Sequence, residues 1–127
     1  MTQLGIDSEQ GAHPVVPILT ETKESSKIIY IFILAVIVAP LVEEVMFRGA
    51  LYSWLRARLG IAFSIIISSV VFAAIHPQGA IGLVPLSCIG ASLALLREWR
   101  GNLVAPIIAH ACFNMGTLIL VLTIFRS

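Results

Sequence analysis

Charge is what this chain has least of. Only 12% of its 127 residues are Asp, Glu, Lys or Arg, about half the share of a soluble domain. Net charge is +1, and no basic stripe interleaved with aromatics is present, which excludes nucleic acid as a partner. Cysteine is nearly absent too. Cys88 and Cys112 match no zinc or redox spacing and lie in apolar runs, so they are expected to be two small buried hydrophobes. There is no HExxH. The N-terminus lacks the basic start, apolar stretch and small-residue cleavage site of a signal peptide. Residues 1–26 are instead polar, with Gly5, Gly11, Pro14 and Pro17, and are expected to form a disordered tail that leaves His13 in solvent.

Apolar residues are abundant, at 58%. A fold this small leaves much of its surface exposed, so it cannot hide them inside itself. Lipid can. Four apolar segments follow the tail: Ile28 to Leu59, ended by Gly60; Ile61 to Ile75, ended by His76-Pro77; Gly79 to Leu96; and Leu103 to Phe125. Proline cannot extend a helix and restricts the residue before it, which sets the second boundary. The polar turn Arg97 to Asn102 separates the last two segments. Some runs fall short of the ~20 residues that span hydrocarbon, but as a set they read as an all-α, polytopic bundle of about four membrane helices over residues 27–127. Ser64, Ser68, Ser69, Gly82, Gly90, Ala91 and Ser92 are the small residues that let membrane helices approach closely. Arg56, Arg58, Arg97 and Arg100 fall at one face, Lys23, Lys27 and Arg126 at the other; the positive-inside rule favours a cytoplasmic first group by one residue.

Ionisable residues within membrane segments are costly and are a functional hypothesis by default. Here they are Glu43, Glu44, Arg48, His76 and His110, with Asn114 one turn beyond the last. At a rise of about 1.5 Å per residue, Glu43, His76 and Asn114 all lie roughly 20 Å from the arginine-rich face, with His110 a turn shallower. Three helices thus offer polar groups at one level. Glu44 and Arg48, four apart, share a face and can pair; Glu43 points about 100° away and stays free to act on a proton. Pro40 removes a helix hydrogen bond near Glu43 and can kink the segment there. His110 and Asn114 share a face from which both could donate to a developing oxyanion. Pro106 suits the first turn of the last helix.

Glu43-Glu44-x-x-x-Arg48, Phe72-x-x-x-His76 and His110-x-x-x-Asn114 resemble, in order and spacing, the three motifs of the CAAX-protease and bacteriocin-processing family, which includes the type II CAAX prenyl endopeptidases. Phe47-Arg48-Gly49 and the lead-in Asn102 to His110 agree with it, and the resemblance covers about Val38 to Asn114. It implies an intramembrane endopeptidase acting on a leader peptide or a prenylated protein, in a bacterial-type plasma membrane, with lipid as its other partner. Carried onto this chain, Glu43 activates water with His76, His110 and Asn114 stabilise the tetrahedral intermediate, and Glu44 and Arg48 shape the site. Phe72 is packing. The expected cofactor is none, or zinc on Glu43, His76 and His110 with one open position. Members of the family carry further N-terminal helices, so this chain is expected to be a minimal or partial member. The alternatives are a non-catalytic immunity or scaffold protein of the same family, in which the motifs persist as structural pairs, and a small proton or ion carrier.

Overall fold

The computed structural model describes residues 24–126, together with residues 17, 18 and 21; most of the polar tail, His13 included, lies outside them. Helix is the only regular structure among the described residues. It begins with α1 (Ser25–Ile33), a π-helical turn (Leu34–Val38), α2 (Ala39–Glu44) and a second π-helical stretch (Val45–Leu51). There follow α3 (Tyr52–Ala74), α4 (Gly79–Arg100) and α5 (Val104–Arg126). Three helical stretches, Ser25–Ala74, Gly79–Arg100 and Val104–Ile124, are long and apolar enough to cross a membrane.

Gly60 divides the first of these. Its φ of 78° lies in the left-handed region, and no atom stands within 4 Å of where a Cβ would be. Glycine is therefore needed for its backbone, not for space. The break leaves a first arm over residues 25–59 and a second over residues 61–74, so the bundle has the four arms the apolar runs predict. Gly101, at φ 67°, caps α4 in the same way, its N–H donating to the Arg97 carbonyl at 3.0 Å. Helix α4 continues through Arg100, so the polar turn is shorter than expected. Asn102 then accepts the Ala105 N–H at 3.2 Å and starts α5, with Pro106 in its first turn.

The first π-helical turn follows from Pro40. The Ala39 N–H reaches back to Leu34 O rather than to Ala35 O, and the next residue has no N–H to give. Ala35 O is thereby left without a backbone donor. Asn114 Nδ2, from α5, donates to it at 2.8 Å. In the second π stretch the Tyr52 N–H reaches Phe47 O, and the Ser53 hydroxyl donates to Arg48 O at 3.1 Å. Such single-turn insertions re-aim the side chains around them and are frequent at functional sites.

Pairings fix the topology. Glu44 meets His110 and Ala35 meets Asn114, so the first arm and α5 run antiparallel. Arg48 meets Gly90 and Arg56 meets Glu98, so the first arm and α4 run parallel. Ser69 and Phe72 of the second arm come so close to Gly90 that a Cβ there would lie 3.1–3.3 Å from them. Ser64, Ser68 and Ser69 are buried as the small-residue pattern predicts, whereas Ser92 is exposed. The cysteines correct the sequence reading: both are exposed, because they sit on the outward sides of α4 and α5. That outer surface is apolar, with Ile37, Ile66, Val84, Ile108 and Leu120 all facing outward.

Candidate active site

The most buried charged groups are on the first arm. Glu44 is 0% exposed and Arg48 is 1% exposed, and Arg48 Nη1 donates to Glu44 Oε1 at 2.8 Å. Four-residue spacing brings them together, as the sequence predicts. The other end of the guanidinium, Nη2, donates to Gly90 O at 2.8 Å, and its Cζ stands 4.7 Å from the Phe72 ring centroid. One arginine thus joins three arms of the bundle. A charge so deep requires this many partners.

Glu44 also receives His110. Nδ1 of that histidine lies 2.8 Å from Glu44 Oε1, and since a carboxylate only accepts, Nδ1 carries the proton. His76 is held by the same logic, its Nδ1 2.6 Å from the Phe72 carbonyl, four residues back. The Phe72 ring, buried beneath both, sits 4.3 Å from the His76 ring centroid and 5.9 Å from that of His110. With both Nδ1 atoms engaged, each histidine presents Nε2 to the cavity.

Those two Nε2 atoms face one carboxylate oxygen. Glu43 Oε2 is 3.8 Å from His76 Nε2 and 3.6 Å from His110 Nε2, and it has no hydrogen-bond partner. Three acceptor atoms, from the first arm, the turn after the second arm and α5, therefore converge without a donor among them. Glu43 is 29% exposed and opens onto a cavity of about 350 Å³. The cavity wall is mostly apolar, with Ile31, Leu34, Leu86, Ile89, Phe113 and Leu118, and it includes Glu43, His76, His110 and Asn114. Asn114 spends one amide N–H on Ala35 O, which leaves one.

Zinc is a poorer fit as the side chains stand. The donor types suit it, but no group of three His, Cys, Asp or Glu among the described residues is spaced to hold a metal ion. The trio is described by two separations, with Glu43 Oε2 3.6 Å from His110 Nε2 and 3.8 Å from His76 Nε2. Spacing alone missed two contributors. Gln78 lines the same cavity with a buried, unpartnered Oε1, and its place two residues after His76 was its only signal. Gly90 contributes a carbonyl, which no side-chain pattern announces.

Fold and site together define a polytopic helical membrane protein with a carboxylate–histidine centre. The profile of one family, described as type II CAAX prenyl endopeptidase Rce1-like, matches residues 25–116. The chain belongs to this family, whose members are CAAX-type intramembrane proteases, and the resemblance read from the three motifs is borne out. It is an integral membrane protein. Comparisons with curated proteins and with solved structures gave no match.

Proposed function

We propose that this chain is an intramembrane endopeptidase in which Glu43 activates water for attack on a peptide bond. The observation that carries the reading is the meeting of Glu43 Oε2 with His76 Nε2 and His110 Nε2, three acceptors with no donor, on the wall of an apolar cavity. A water molecule supplies what such a set needs: two protons to give and a lone pair to use.

In the proposed reaction Glu43 takes a proton from that water, and the hydroxide adds to the scissile carbonyl carbon. His76 accepts the second water hydrogen and orients the attack. The oxyanion that forms is met by the free amide N–H of Asn114 and by His110, which takes up a proton from solvent at Nε2 when substrate binds and so turns from acceptor to donor while Nδ1 stays on Glu44. Collapse breaks the C–N bond, and Glu43 returns its proton to the departing amine. Water and a peptide bond become a carboxylic acid and an amine, and transfer of the acid's proton to the amine leaves a carboxylate and an ammonium. Glu44 and Arg48 act by holding His110 and the first arm in place. The apolar wall suits a prenyl chain beside the scissile bond, which favours a prenylated protein as substrate.

The test is cleavage of a quenched fluorescent CAAX peptide by the purified protein in detergent, farnesylated and unmodified, with and without a chelator. Faster cleavage of the farnesylated peptide, insensitive to chelation, is expected. Cleavage of neither peptide by well-folded protein would favour the non-catalytic alternative. Loss on chelation that zinc restores would move water activation to a metal.

A further inference from the structure

A second polar pocket lies at the opposite end of the first arm. It has a volume of about 330 Å³ and is lined by Tyr52, Ser53, Arg56, Arg97, Glu98 and Gly101. Its position is set by where the chain reverses. Gly60 turns the first arm into the second, and Gly101 ends α4, within a few residues of the pocket on either side. Two exposed tryptophans mark the same level: Trp54 at 55% and Trp99 at 78% exposure, with Arg58 and Arg100 against their rings. Tryptophan and arginine together are the side chains of a membrane–water interface, apolar in body and polar at the tip. The pocket therefore opens at headgroup depth.

Its charges are unequal. Glu98 accepts from Tyr52 Oη at 2.8 Å and pairs with Arg56 at 3.1 Å, which accounts for one cation and one anion. Arg97 is left over. Its Nε is buried and without a hydrogen-bond partner, and its guanidinium makes no hydrogen bond among the described residues. A guanidinium in this position presents a planar fork of donors, the geometry that suits a phosphate. The site chemistry above uses none of these residues.

We propose that this pocket binds the phosphate of an anionic phospholipid headgroup, with Arg97 as its principal donor and Arg56, through the Nη1 it does not spend on Glu98, as a second. Basic pockets between membrane helices recognise headgroups in this way. The lipid would clamp the end of α4 to the first arm at the face where the Arg56–Glu98 pair already joins them.

The test is lipid retention on the purified full chain, read by native mass spectrometry after exchange with a mixture of phosphatidylcholine and phosphatidylglycerol. Wild type is expected to keep phosphatidylglycerol preferentially. Arg97→Gln is expected to lose it by roughly tenfold, the low end of what a hydrogen bond to a charged group contributes. Arg58→Gln, on the same face but outside the pocket, is expected to leave retention unchanged. Equal loss in both variants would show general surface attraction and overturn the site. Absence of any preference in wild type would overturn it as well, as would displacement of the lipid by millimolar inorganic phosphate.

Discussion

At the scale of single residues, the buried charges divide into one that holds structure and one that is left free. Arg48 is fastened at both ends, to Glu44 and to Gly90 O, and its removal leaves a carboxylate uncompensated at 0% exposure. Arg48→Ala is expected to destabilise the protein by about 3–5 kcal/mol, as breaking a buried pair does elsewhere. Thermal unfolding in detergent measures this directly. Asn114→Ala removes the donor to Ala35 O, and roughly 1 kcal/mol is expected, since interhelical hydrogen bonds in membranes are individually modest. The same variant is expected to slow cleavage by more than that loss of stability explains. The polar residues were legible because depth is countable: a rise per residue and a reference face suffice to bring Glu43, His76 and Asn114 to one level, with His110 a turn away. The interhelical partners of Asn114 and Arg48, Ala35 O and Gly90 O, were not. Both are backbone carbonyls, and a carbonyl becomes available only when the local helix geometry or a missing Cβ exposes it.

Helix ends were legible at the scale of elements, because glycine and proline mark them. Gly60, Pro77 and Gly101 each stand at or beside a boundary, and the four arms fall between them. The π-helical stretches were not. Pro40 announced a lost hydrogen bond, but whether the chain kinks or widens depends on which neighbour can absorb the orphaned carbonyl, and that neighbour, Asn114, is seventy-nine residues away. Close approach is concentrated at Gly90, where α4 meets the second arm. A methyl group there would stand 3.1 Å from Ser69 Cα and 3.2 Å from its Cβ. Gly90→Ala is expected to destabilise by about 1–3 kcal/mol through overpacking, and to loosen the Arg48 contact with its carbonyl. Circular dichroism melts, with cleavage measured on the same sample, would show both effects together. Unchanged stability would mean that α4 can shift away without loss.

Over the whole molecule, polar groups are inside and apolar ones outside, the inverse of a soluble bundle. Hydroxyls that cannot reach water bond back to their own helices: Ser92 to Cys88 O, Thr117 to Phe113 O and Thr123 to Ile119 O. Each carbonyl so used satisfies a donor that lipid could not. Cys88 and Cys112, exposed on that surface, are expected to resist a charged, water-soluble maleimide in intact vesicles and to react once the protein is denatured. Rapid labelling in intact vesicles would place them in water and contradict the bundle's orientation to lipid. Within this envelope the arms bring one free carboxylate to two histidines, and the central claim is that this carboxylate performs the chemistry. The most direct measurement is cleavage of the farnesylated CAAX peptide by wild type and Glu43→Gln, matched for melting temperature. The account predicts that cleavage falls by at least about a hundredfold in Glu43→Gln, the lower range for loss of a general base. Cleavage by Glu43→Gln at the wild-type rate would contradict it.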